Sequence, residues 1–356
     1  MSFPAPASQP GRHLVLVLGA TLVAVVLSFL AITPKLVPWR DNGLVYETTK
    51  VEPMTAQLAD PVGWEKQYRD NPEFNGIQTI RWRMLPPVLG HALGLDPHVY
   101  FTLPWAGVIV LVGLAIHYAL ARGTTPAGAL AIGVLAGTSS ACFSATCAVG
   151  YFDPFYLIPL LVACYTPSTV LLAAACFVGP WVDEKFLFML PACCAVRWTW
   201  RPDRRWFLAT AAIAPYCLLR LAALIQGDSS LSRQVDMQGA VFWNYAPALP
   251  EGWWYGFRVG WVLFFAGLWQ VWRTQPPVVR GWLLTSLVVA VGPVSFLAWD
   301  TTRSIAMLLP LLLLGSPAPV TSRWLPWLAL ANLLLPAAYV WCGQPVTVPL
   351  TSILWR

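Results

Sequence analysis

The sequence predicts an all-α polytopic membrane protein, one membrane domain (1–356) of about ten or eleven transmembrane or half-spanning helices with two large loops on its outer face. Three observations predict it. Hydrophobic residues make up 57% of the 356 residues and charged residues only 11%, against about a quarter charged in ordinary soluble domains. The mean hydropathy is +0.61. Apolar runs follow one another along nearly the whole chain, and arginines and acids fall on alternate connections between them.

The first run, 14–32, is preceded by Arg12 and lacks a small-residue cleavage site, so it is expected to stay as a first helix rather than leave as a signal peptide. Further runs occupy roughly 99–121, 126–147, 153–165, 168–181, 185–196, 206–224, 256–272, 281–298, 304–316 and 324–342. The three between 153 and 196 are short for a ~30 Å hydrocarbon core. Pro154, Pro167, Pro180 and Pro191 punctuate them, which predicts broken or re-entrant helices around a protein-walled cavity. Two hydrophilic segments, 34–98 and 226–256, form the loops. No internal repeat is evident.

Charge sets the expected orientation. With Arg12 in the cytoplasm and one crossing per run, the inner side holds Arg122, Arg197, Arg201, Arg204, Arg205, Arg273, Arg280 and Arg323, with Asp203 as its one acid. The other fifteen of the sixteen acids fall outside. The formal charge of +6 therefore reports orientation, and nucleic acid is not an expected partner. The eight cysteines lie almost all in apolar segments without C-x-x-C spacing and are expected to pack as small apolar residues.

No nucleotide-binding, zinc-protease or nucleophile-elbow motif is present. What stands out is charge at the outer ends of spans. "FVGPWVDEKFLFMLP" (177–191) puts Asp183, Glu184 and Lys185 inside an apolar run, where charges are costly unless paired or facing water. An internally neutralised pair at a helix break accounts for the triplet; so does the floor of a polar cavity. Asp153 in "GYFDPFYL" (150–157) suits an N-cap followed by Pro at the first helical position. Asp300 and Arg303 in "FLAWDTTRSIAMLLP" are three apart, which suits capping or a local salt bridge. Arg83 precedes the prolines Pro86 and Pro87 and suits a lipid headgroup. Asp41, in "TPKLVPWRDNGLVYE" (33–47), follows the first span closely enough to stay at the membrane surface. It can serve a hydroxyl as general base, and Asp41-Asn42-Gly43 is also strong turn chemistry. The aromatics Phe242, Trp243, Tyr245, Trp253, Trp254 and Tyr255 suit an interfacial belt or a sugar-stacking platform.

A long outer loop with an early Asp, short broken central helices bearing an acid–base triplet, and a late Asp-x-x-Arg step together resemble the GT-C superfamily of multispanning glycosyltransferases, which use polyprenyl-phosphate-linked sugars. The resemblance covers the architecture of most of the chain. The family's acidic pair in the first loop is absent as a dipeptide, since Asn42 follows Asp41. The resemblance implies transfer of a sugar from a polyprenyl-phosphate donor to a hydroxyl of a glycan, lipid or protein acceptor, within membrane lipid. Asp41 would be the base, Lys185, Arg303 and Arg83 would hold the donor phosphate, and Glu184 and Asp300 would orient those cations, with Asp153 and Asp183 in support. No cofactor is predicted, and a need for a divalent metal is left open. The setting implied is a bacterial inner membrane with the active site outward. Polysaccharide polymerases share these features. A transporter or flippase would use Asp153, Glu184 and Lys185 for proton coupling, and a scaffold subunit would use none of them.

Overall fold

The computed structural model describes residues 10–32, 45–64, 81–147, 151–203, 205–227, 239, 242–244, 246–297, 301–316, 323–335, 337–341 and 344–347. Asp41, Asp300 and Tyr245 lie outside them.

Among the described residues the chain is helical apart from one antiparallel pair, β1 (Ala338–Trp341) and β2 (Gln344–Thr347), with Tyr339 opposite Val346. The strands stand at the end of a run expected to continue as helix to 342. The helix there stops at Leu334, where Leu335 turns extended.

α1 (Pro10–Ile32), α4 (Pro97–Ala121) and the segment Arg205–Ile225 are long and apolar enough to cross a membrane. α5 (Pro126–Gly137) and α6 (Ser140–Cys147) are bent by 55° and make a fourth crossing if taken as one span. Shorter apolar helices follow: α7 (Asp153–Tyr165), α8 (Thr169–Val182) and α9 (Lys185–Trp200) in the centre, then α10 (Arg205–Thr210) and α11 (Ala214–Ile225). After α12 (Leu249–Phe257) come α13 (Trp261–Thr274), α14 (Pro277–Leu297), α15 (Thr301–Ile305), α16 (Leu309–Gly315) and α17 (Leu325–Leu334). This is a helical membrane protein. Pro104, Pro159, Pro180 and Pro191 sit inside helices instead of ending them, because neighbouring helices and local adjustments can satisfy the carbonyls a proline leaves open in a membrane helix. The expectation that Pro180 and Pro191 break the central helices is corrected accordingly. The break falls at Asp183–Glu184 instead.

A single core joins α1 and α4–α9 to α13–α17. One close helix contact is α13 on α16. A methyl on Gly267 would run into Leu314, and one on Gly315 into the Leu263 carbonyl, so both positions need glycine for the backbones to approach. Buried arginines close open helix ends. Arg197 donates to the carbonyls of Thr166 (2.6 Å) and Ala163 (3.3 Å) at the end of α7. Arg258 donates to Thr138 O (2.6 Å), just past α5, and to Leu335 O (2.9 Å), just past α17. A guanidinium there answers both the unpaired carbonyls and the negative end of the helix dipole. Arg258 itself holds a left-handed backbone (φ 49°) between α12 and α13, a conformation a non-glycine residue keeps only where its surroundings enforce it.

The first loop folds onto this bundle. It supplies α2 (Val45–Ala59) and α3 (Leu85–Ala92). Met54, Leu58 and Trp64 pack with Tyr100, Phe101 and Phe152 in a second, smaller core. His91 Nδ1 lies 3.0 Å from Leu58 O and ties α3 to α2. These contacts set α2 over the ends of α4 and α7, where the charged residues are.

Candidate functional site

Asp153 opens α7, and the residue that caps that helix is Phe152, which makes no side-chain cap bond. The expected N-cap role of Asp153 is thus corrected: its carboxylate is 1% exposed and turned into the protein. Arg303 Nε donates to its Oδ2 at 2.5 Å, and Ser144 Oγ donates to the same oxygen at 3.1 Å. Arg303 comes from α15, 150 residues away, and stacks over the Tyr151 ring at 4.0 Å. It is 5% exposed. A carboxylate this buried stays charged only because a fully engaged guanidinium faces it.

Asp183 stands in the link between α8 and α9. Arg83 Nη2 is 3.0 Å from its Oδ2, and Arg303 Nη2 is 4.0 Å from the same atom. Its Oδ1 accepts from the Lys185 backbone N–H at 3.0 Å, so the side chain also starts α9. The positive charges of Arg83, Lys185 and Arg303 surround this buried carboxylate and offset the cost of its burial.

The triplet 183–185 is not neutralised within itself. Asp183 is extended (φ −157°, ψ 133°) and Glu184 is helical (φ −60°, ψ −19°), so their side chains leave the break in different directions. Glu184 accepts from Tyr216 Oη (2.9 Å) and Arg220 Nε (2.8 Å) on α11. Arg220 in turn covers Trp82 at 4.3 Å. The expectation that Glu184 orients Lys185 and Arg303 is therefore corrected: it fastens α11, and through Trp82 the first loop, to the break. Lys185 is left with the Tyr156 ring, 5.9 Å from its Nζ. Among the described residues no carboxylate is in ion-pair range of that nitrogen.

A small recess opens beside these groups; with the solvent space at its mouth it spans about 430 Å³. It is lined by Met54 and Gln57 of α2, Arg83, Pro86, Tyr100 of α4, Phe152, Asp153, Val182, Asp183 and Arg303. No family model, no curated protein and no solved structure matches this chain.

Of the expected site residues, Asp153, Asp183, Arg83 and Arg303 are joined directly, and Lys185 adds its charge from the first turn of α9. Glu184 stands apart from them on the α11 side. Asp41 and Asp300 lie outside the described residues. Two residues were not anticipated. Arg220 sits in a run that otherwise reads as a plain apolar span. Tyr156, fully buried, is not distinguished in the sequence from the apolar run around it; its spacing of three from Asp153 is the signal that could have found it. The outer aromatics divide: Trp253 stacks on Trp261, while Trp243 is 81% exposed.

Among the described residues, no three His, Cys, Asp or Glu side chains come together as metal ligands. The site instead gathers three cations, Arg83, Lys185 and Arg303, around two carboxylates. That surplus of positive charge in a half-enclosed recess attracts an anion. A guanidinium and an ammonium together suit a phosphate.

Proposed function

We propose that the protein is a membrane glycosyltransferase that moves a sugar from a polyprenyl-phosphate donor to an acceptor hydroxyl, with the recess as its donor-phosphate site. The observation that carries this reading is the convergence of Arg83 and Arg303 from distant segments on one recess walled by the first loop, with the charge of Lys185 acting on Asp183 at its edge. Cations fixed there would stabilise the charge that develops on the phosphate as it leaves. Asp41, outside the described residues, is the proposed base. Asp183 and Asp153 would hold Arg83 and Arg303 in place. The resemblance of the sequence to the GT-C superfamily supports this reading, and on it the reaction would take place at the outer face of a bacterial inner membrane.

The test is turnover. Membranes containing the protein are given polyprenyl-phosphate sugars with radiolabelled hexoses or pentoses, and label is followed into product. Transfer is the expected result. If no lipid-linked sugar is consumed while proteoliposomes accumulate a charged solute, the proposal fails and transport replaces it.

The proposed orientation has its own test. Val62 is 87% exposed on the first loop, and Arg205 is exposed at the start of α10. In a cysteine-free background, a membrane-impermeant maleimide added outside should label Val62→Cys and spare Arg205→Cys. The reverse pattern would put the recess in the cytoplasm and remove the outer-face reaction.

A further inference from the structure

Two turns far from the recess carry a basic surface. Arg201 and Arg205 flank the turn between α9 and α10, and Arg273 and Arg280 flank the turn between α13 and α14. Arg201, Arg205 and Arg273 are exposed and Arg280 is half-buried. Asp203 is the one acid in these turns, and it accepts from the Arg205 backbone N–H at 2.9 Å. An aromatic stack joins the turns. The Phe207 ring stacks on Trp206, with centroids 3.9 Å apart, and on Trp282, at 6.3 Å with 17° between the planes. Phe207 follows Arg205 by two residues and Trp282 follows Arg280 by two, so the stack brings the two arginine pairs onto one surface.

These guanidinium groups are only partly used. Arg201 Nη1 donates to Pro167 O (3.2 Å), and Arg280 Nε to Gln275 O (2.6 Å). A guanidinium has five N–H donors, so both keep most of theirs. Arg273 and Arg280 stand over the rings of Trp269 (4.5 Å) and Trp272 (5.4 Å), and both rings are exposed. Arg197 differs, since it is buried and donates to the helix-end carbonyls of Ala163 and Thr166.

The chemistry of a partner follows from two features. Four arginines against one aspartate call for an anion. Exposed Leu208, Trp269, Trp272 and Val278 lie beside these arginines along the chain and call for an apolar cover. A soluble anion meets the first need and leaves the apolar residues in water. A phospholipid with an acidic headgroup meets both. Arginine takes phosphate oxygens through a planar fork, and each of the two turns offers a pair of such forks.

We propose that the two turns form a site for a phospholipid with two separate phosphates, of the cardiolipin type, from the leaflet that meets them, the inner one in the proposed orientation. One phosphate lies at Arg201 and Arg205, the other at Arg273 and Arg280, and acyl chains cover the exposed tryptophans. The site is independent of the recess and of any reaction there.

The experiment is native mass spectrometry of the purified protein in detergent, titrated with cardiolipin, phosphatidylglycerol or phosphatidylcholine. One cardiolipin should bind about tenfold tighter than phosphatidylglycerol at equal phosphate, because its second phosphate is held beside the first, and phosphatidylcholine should bind weakest. Arg205→Gln and Arg280→Gln should each weaken cardiolipin about fivefold, and the double variant should bring it to the level of phosphatidylglycerol or below. Arg205→Lys and Arg280→Lys, which keep the charge and lose the fork, should also weaken it. Two variants should leave it unchanged: Arg323→Gln, next to a helix that packs on α5 and α1, and Lys185→Met beside the recess. Thermal midpoints in lipid-free detergent within a few degrees of the unmutated protein show that the variants are folded; if the double variant is not, the lysine variants carry the test. The proposal is overturned if phosphatidylglycerol matches cardiolipin at equal phosphate, if the lysine variants keep full affinity, or if Arg323→Gln costs as much as Arg205→Gln, each of which would reduce the surface to unspecific charge. It is also overturned if Lys185→Met abolishes binding, which would place the lipid in the recess.

Discussion

Replacing Arg303 by methionine will cost the protein about 3–5 kcal/mol of stability, and adding Asp153→Asn in the same chain will return most of it. Arg303 and Asp153 are 5% and 1% exposed and share a hydrogen bond. Methionine fills much of the arginine's volume, so little of the loss comes from a cavity. What it leaves behind is a carboxylate with no guanidinium, buried where water cannot replace the partner. Ser144 still donates to Oδ2, but one neutral hydroxyl does not compensate a buried charge. Asparagine at 153 removes that charge and keeps an acceptor for Ser144. The measurement is unfolding in mixed micelles of rising denaturing-detergent fraction, for both single variants and the double. A double variant as unstable as Arg303→Met alone would mean that Arg303 acts through Asp183 or Tyr151, and that the Asp153 pair is not the fastening of α15 to α7.

The helices around the site were legible because lipid restricts what a sequence can do. The run 153–165 became α7 with those bounds, and the gap between the runs 168–181 and 185–196 became the α8–α9 break at Asp183–Glu184. In each case a change from apolar to charged residues marks where the helix cannot continue in hydrocarbon. The partners of the charges were not legible. Sequence spacing favours neighbours, so Glu184 with Lys185 looked like a pair, as did Asp300 with Arg303, of which Asp300 lies outside the described residues. The structure joins Glu184 to Arg220 instead, and it joins Asp153 to Arg303 and Asp183 to Arg83. A buried charge selects the partner that packing brings to it, and packing between distant helices leaves no local trace. Tyr156 was missed for a related reason. In an apolar run a tyrosine looks like a packing residue until its hydroxyl is found to have no partner. Prolines misled in the other direction, since Pro180 and Pro191 are carried within helices that a soluble protein would break there.

Lys185→Met should lower turnover by roughly 10²–10³-fold, the effect of removing one fixed donor from a developing charge, while shifting stability by less than about 1 kcal/mol. The two halves of this prediction have separate grounds. Stability is spared because no described carboxylate pairs with Lys185 Nζ, so its removal orphans no charge; Asp183 keeps Arg83 at 3.0 Å, and its bond from the Lys185 backbone N–H does not depend on the side chain. Burying an ammonium also carries a desolvation cost that methionine lacks, which offsets the lost contact with Tyr156. Activity is lost because, in the proposed mechanism, Lys185 is the cation without a described carboxylate, free to give its full charge to a phosphate. Arg83 and Arg303 each share theirs with an aspartate. Turnover with lipid-linked sugar and unfolding in mixed micelles, measured on one preparation, separate the cases. Loss of both together would make Lys185 a structural residue. Adding Glu184→Gln then identifies which structure it serves: Glu184 is held by Arg220 and Tyr216, so neutralising it should not rescue Lys185→Met. Rescue would show that Glu184 and Lys185 form a pair in the membrane after all, and that the phosphate site must be built from Arg83 and Arg303 alone.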